Sequence, residues 1–180
     1  MITMGVDLFW LGSYPNLNSW AKNTALYEAS AEGRAADARF DKVAKCGSGL
    51  YFSQMLHEGL PAPAAGDNSS VIEGYQCTLK KGRTMLNAQH ANQVWADWVK
   101  ANPDAAKFNA YMLTPWLANT PYDLIYLSVN DNMEDFGKTN TLAMTTGSGQ
   151  AVQAAFDDAM NCEAGLFIGT AIRRPAAPAQ

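Results

Sequence analysis

The chain has 180 residues, 48% of them apolar and 17% charged, which is enough for a packed core and too apolar for wholesale disorder. Its net charge of −4 and pI near 5.1 argue against nucleic acid or an anionic membrane as the main partner. No apolar run reaches the roughly 20 residues that span a bilayer.

The start, Met1-Ile2-Thr3-Met4-Gly5, lacks the basic region and apolar stretch of a signal peptide. A strand is nevertheless expected at once from Val6, and a native chain seldom begins so abruptly. The compartment is therefore open: periplasmic or secreted if an upstream segment has been lost, cytoplasmic otherwise.

Shifted by 116 positions, residues Val6 to Met55 fall on Tyr122 to Ala171 without a gap. Fourteen pairs are identical, among them Asp7/Asp123, Asn16/Asn132, Lys22/Lys138, Leu26/Leu142, Gly33/Gly149, Phe40/Phe156 and Cys46/Cys162. Chance gives about three in such a window, so the pattern reads as a duplication. Each copy opens on a short apolar strand, Leu8–Leu11 or Leu124–Leu127. Asn16 or Asn132 then caps a short helical turn through Trp20 or Phe136. After a break at Gly33 or Gly149 comes a helix with Ala36, Phe40 and Val43, or Val152, Phe156 and Met160, on one face. The copies close on strands Gly49–Phe52 and Gly165–Ile168.

Between the copies, His57 to Ser70 is rich in Pro, Ala, Gly, Asp and Ser and reads as a linker. Glu73–Leu79 reads as a strand and Lys81-Gly82 as a turn. Thr84 caps a helix to about Ala101, with Ala88, Ala91, Trp95, Trp98 and Val99 in one arc toward the sheet. Phe108–Thr114 is a further strand, and a loop from Pro115 to Pro121 leads into the second copy. From residue 72 the order is β-α-β-β-α-β, which predicts a ferredoxin-like antiparallel sheet of strand order 4-1-3-2 with helices on one face.

The fold class expected is thus α+β. Residues 1–56 form a βαβ half-domain, 57–71 a linker, 72–172 a ferredoxin-like domain and 173–180 a disordered tail. The half-domain alone leaves strand edges unpaired, so it is expected to complete itself against a second copy or on the C-terminal domain.

The residues Cys77-Thr78-Leu79, Lys81-Gly82-Arg83-Thr84-Met85, Trp95, Trp98, Leu113-Thr114-Pro115-Trp116, the Asp123–Leu127 strand and Phe156 with Cys162 together resemble the dimeric α/β barrel superfamily. More narrowly, they resemble uncharacterised marine bacterial proteins with two such domains in tandem. The resemblance covers nearly all of residues 73–171 and implies that residues 1–55 match the second half of a preceding domain. The superfamily includes cofactor-free oxygenases, haem-handling enzymes and members of no known activity, so the fold says little about chemistry.

Cys77 and Cys162 fall on strands that neighbour each other in the 4-1-3-2 order, which offers a disulfide and an oxidising compartment; three buried, reduced thiols are the other reading. Cys46 is then the odd cysteine. No CxxC or Cys/His cluster points to a metal, and no motif points to a cofactor. His57 and His90, the only histidines, are weak candidates for a haem or metal ligand. Trp95, Trp98, Tyr111, Trp116 and Tyr126 offer a pocket for a small apolar molecule, with ordinary core packing as the competing explanation. Asn109 and Tyr111 are the polar groups available to it. Asp7/Asp123 and Lys22/Lys138 read as ion pairs or as lining a cleft, with a solvated edge or turn ligand the plainer reading for the carboxylates; Lys80, Lys81 and Arg83 read as a solvated turn, and Gly147-Ser148-Gly149 as a helix start outside any phosphate-loop pattern. Asn68-Ser69-Ser70 matches a glycosylation sequon.

These residues place a non-catalytic module first, one that binds a small apolar ligand or assembles with itself as a dimer through sheet or half-domain pairing. A cofactor-free oxygenase or haem-handling enzyme using the aromatic pocket is the alternative. Neither nucleic acid nor membrane is expected as a partner.

Overall fold

The computed structural model describes residues 8–61 and 69–171, which divide into two compact units, residues 8–48 and residues 49–61 with 69–171.

The smaller unit holds two helices, α1 (Leu17–Ala29) and α2 (Ala31–Phe40). Asn16 is extended, and its side-chain oxygen accepts the Ser19 N–H at 2.9 Å, which starts α1. Ser30 both ends α1, donating its N–H to the Leu26 and Tyr27 carbonyls, and caps α2 by accepting the Gly33 N–H at 2.8 Å. One residue thus sets the corner between two helices.

The larger unit is α+β. Its strands are β1 (Gly49–Glu58), β2 (Ser69–Leu79), β3 (Phe108–Ala118), β4 (Leu124–Asn130) and β5 (Met160–Thr170). Its helices are α3 (Met85–Ala101), α4 (Met133–Thr145) and α5 (Gly147–Ala159), with a single 3-10 turn at Pro103–Ala105. The sheet order is β1-β3-β4-β2-β5, with every neighbouring pair antiparallel. Alternation along the strands puts Cys77, Phe108, Ala110, Met112, Leu124 and Tyr126 on one face, and all six pack with residues of α3, α4 and α5. Leu124 and Cys77 are fully buried at its centre.

The pair α4–α5 follows the pattern of α1–α2 at the same 116-residue spacing. Asn132 accepts the Asp135 N–H at 2.9 Å, and Thr146 accepts the Gly149 N–H at 3.1 Å. Gly33 and Gly149 sit in the first turn of the second helix, not ahead of it. A methyl group there would overlap the carbonyl oxygen of Tyr27 or Ala143, so the two helices approach too closely for any side chain.

Several sequence expectations are corrected. Residues 8–14 form no strand, although Leu8–Leu11 has the composition of one: β4 is held by ladders on both sides, and residues 8–14 lie in no ladder among the described residues. The turns expected at Trp20 and Phe136 are full thirteen-residue helices. Val43 lies beyond α2, which stops at Phe40, and is 82% exposed; Ala159, its counterpart, is buried in α5. Met160, placed on a helix face, opens β5 instead.

The linker expected from residue 57 begins later, because β1 runs to Glu58 in a ladder with β3. This pairing is also why Gly49–Glu58 belongs to the larger unit and not to an N-terminal half-domain. Pro115–Ala118, expected in a loop, extends β3 past the end of β4 and pairs with Gly49–Tyr51. Val6, Asp7, Asn68 and the 173–180 tail lie outside the described residues.

Gly149→Ala is expected to lower stability by about 2 kcal/mol, since the added methyl meets backbone and not a yielding side chain. Gly137→Ala, in the interior of α4 with open space around it, is expected to raise stability by about 0.5–1 kcal/mol. Thermal unfolding of the two variants reads both signs.

Candidate functional site

Cys77 on β2 and Cys162 on β5 are direct cross-strand partners and are joined by a disulfide between residues 85 apart. Cys77 is fully buried, Cys162 is exposed, and Cys46 is a free, exposed thiol. The bond closes a loop that holds α3, β3, β4, α4 and α5. In the chain-entropy account a loop of this length contributes about 4–5 kcal/mol. Reduction is therefore expected to lower the Tm sharply, whereas Cys46→Ser leaves it unchanged; differential scanning calorimetry with and without reductant checks this.

The five aromatic candidates do not converge on one cavity. Trp98 is buried with Val99, Phe108 and Val152, and its indole N–H has no hydrogen-bond partner. Tyr126 belongs to a second cluster, edge-on to Phe156 at 5.5 Å, and burial pushes its hydroxyl up to about 12 against the opposing effect of the Asn92 amide. Tyr111 is adjacent in sequence to Met112 and so projects from the opposite face of the sheet. Trp116 is 45% exposed on the extension of β3, its ring 5.4 Å from that of Phe52. Only Trp95 lines a cleft.

That cleft, about 400 Å³, lies between α3, β1 and the 3-10 turn, lined by Leu56, His57, Trp95, Ala96, Val99, Lys100, Pro103 and Ala106. The His57 Nε2–H donates to the Ala106 carbonyl at 2.8 Å; a carbonyl only accepts, so this nitrogen carries the hydrogen. The His57 ring stands 5.0 Å from Phe108 and 6.2 Å from Trp95, which is itself 5.8 Å from Phe108. Just beyond, the Gly59 N–H donates to the Phe108 carbonyl, and the Asn109 side-chain oxygen accepts from the N–H groups of Gly59 and Leu60 at 3.1 Å. Asn109 thus clasps the end of β1. Any side chain at Gly59 would overlap the Ala106 carbonyl and the His57 ring.

A second open cleft, about 520 Å³, runs between α4 and the 3-10 turn past Asp104, Lys138, Thr141, Leu142 and Thr145. Lys138 is paired with Glu134 at 2.6 Å, which raises its ammonium above the ordinary range. Other candidates have local duties. The Asp123 carboxylate accepts the Leu79 N–H at 2.7 Å, Lys80 donates to the Asp157 carbonyl, and Arg83 pairs with Asp158. Gly82 takes the positive φ that this turn requires, and His90 is exposed on α3. Among the described residues, no group of three or more His, Cys, Asp or Glu side chains is placed to hold a metal ion.

One half-buried acid escaped the sequence reading. Glu73 alternates with Tyr75 and Cys77 along β2, so its carboxyl points to the helix-covered face. Burial pushes it above the usual carboxylate range, with the Tyr75 hydroxyl and the Asn140 amide holding it partly down. Burial and the neighbouring Glu73 charge in turn raise the Tyr75 hydroxyl. The period-two spacing of Glu73 with the core residues Tyr75 and Cys77 was the available signal.

A carboxyl raised in the folded state binds more protons there than in the unfolded chain, so stability falls as pH climbs from the ordinary glutamate range through the raised value. Glu73→Gln is therefore expected to raise the Tm at about pH 7 and to lose that advantage toward about pH 4, below the unfolded carboxyl's range. Thermal melts across that interval measure it.

Comparison with family models, with curated proteins and with solved structures finds no match to this chain.

Proposed function

We propose that this chain is a self-assembling module of the ferredoxin-like, dimeric α/β barrel kind, in which the N-terminal helix pairs of two copies pack on each other about a twofold axis. Counted from residue 72, the strand order is 4-1-3-2, which supports the ferredoxin-like part of the reading. The matched caps and glycine corners of α1–α2 and α4–α5 support a duplication.

The observation that carries the assembly is a mismatch in burial. In α4–α5, Leu142, Val152, Phe156 and Ala159 pack into the core clusters. Their counterparts at the 116-residue spacing are Leu26, Ala36, Phe40 and Val43, and of these Leu26 is 61% exposed and Phe40 45%. The helix pair carries a core-facing side without a core of its own; among its described residues only Gly33 is buried. Exposed apolar surface of this extent marks an interaction site.

A second copy is the occupant that fits. A ferredoxin-like domain is itself two βαβ halves in approximate twofold relation, so two equal halves can close on one another. From residue 17 to 43 the basic residues Lys22, Arg34, Arg39 and Lys42 are balanced by Glu28, Glu32, Asp37 and Asp41, so like surfaces meet without net repulsion. An enzyme would need an acid or base facing a cleft; of the groups at the two clefts able to act so, His57 is already engaged with the Ala106 carbonyl and Lys138 with Glu134.

Size-exclusion chromatography with light scattering is expected to find a dimer at about 10 μM, a concentration that a Kd near 1 μM populates. Leu26→Glu with Phe40→Glu is expected to give a monomer whose near-ultraviolet circular dichroism is otherwise preserved. A monomeric parent chain, or a double variant that stays dimeric, sinks the proposal.

A further inference from the structure

The cleft between α3 and β1 has features that packing alone does not require. Its aromatic wall, His57 and Trp95, is held from behind: both rings stand against the buried Phe108 and against each other, and the Ala106 carbonyl fixes the His57 ring. A side-chain-free residue, Gly59, leaves room for that carbonyl. The remaining lining is aliphatic: Leu56, Ala96, Val99, Pro103 and Ala106. A wall held in place before a ligand arrives spares the ligand the cost of ordering it. The volume, about 400 Å³, falls in the lower part of the roughly 300–1,000 Å³ range of small-molecule sites and suits one or two fused rings.

The electrostatics are one-sided. Lys100 is the only lining residue with a fixed charge, no carboxylate lines the cleft, and Lys100 joins none of the ion pairs among the described residues. We infer that this cleft binds a small planar aromatic carboxylate, its ring against Trp95 and the aliphatic wall and its carboxylate toward the Lys100 ammonium at the rim. The contact of an aromatic face with Trp95 and His57 supplies the affinity, and the single exposed cation supplies the preference for an anion. This site is independent of the assembly proposed above.

Isothermal titration of the full chain with 2-naphthoate, with neutral 2-naphthamide and with hexanoate tests it. Saturable 2-naphthoate binding with a Kd below about 1 mM is expected. Lys100→Gln is expected to weaken 2-naphthoate about fivefold, in line with an exposed ion pair, and to leave 2-naphthamide unchanged. Ala96→Trp, which fills the cleft from a half-buried helix position, is expected to abolish both. The inference is overturned by absence of saturable binding, by 2-naphthoate affinity that survives Ala96→Trp, or by hexanoate binding as tightly as the aromatic acid. Equal loss of both aromatic ligands in Lys100→Gln overturns the role given to the charge.

Discussion

The larger unit depends on how the outer edge of β3 is satisfied. A strand offers hydrogen-bond donors and acceptors on two sides, and β3 has β4 on only one of them, over Phe108–Leu113. β1 fills the other side along the whole of β3, from Glu58 opposite Asn109 to Gly49 opposite Ala118. The clasp at Asn109, the His57–Ala106 bond and the aromatic wall of the cleft all follow from this one ladder, because each joins the end of β1 to β3 or to the turn before it. Segments of the chain separated by some fifty residues are thereby held as one surface.

The same ladder has a consequence for the smaller unit. In the larger unit, β4 and β5 both pair with β2, and α4–α5 pack on the sheet that results. β1 pairs with β3 and residues 8–14 form no strand, while Leu26 and Phe40 of α1–α2, which stand 116 residues before Leu142 and Phe156, are exposed. The assembly proposed here is the simplest way for those side chains to be buried.

Much of the architecture was legible in the sequence, and the reasons are local. Asn16, Asn132 and Thr84 mark helix starts through short-range chemistry that a sequence displays directly, whereas the caps at Ser30 and Thr146 were hidden behind the glycines three residues on. Cys77 and Cys162 were readable as a possible pair because strand order makes their strands neighbours; the register that sets them directly opposite came from the structure. What stayed hidden was long-range: that residues 8–14 would find no ladder, that β3 would continue through Pro115 because β1 lies alongside, and that Tyr111 and Tyr126 would point to opposite faces. The aromatic set was chosen by residue type, whereas the cleft is defined by Gly59, Pro103 and Lys100, none of which looks aromatic or reactive in sequence.

The disulfide divides the molecule unequally. Everything from α3 to α5 lies between its two cysteines, while β1 and the helix pair before it lie outside. Tension applied at the two ends of the chain would therefore be carried across the Cys77–Cys162 link and bypass the enclosed helices and strands. β1 could peel away, unzipping from β3 and taking the cleft wall with it, and the parts of β2 before Cys77 and of β5 after Cys162 lie in the same loaded path. The protein thus has a covalent breaking point and a hydrogen-bonded one, and the weaker of the two is the seam on which its candidate binding surface is built.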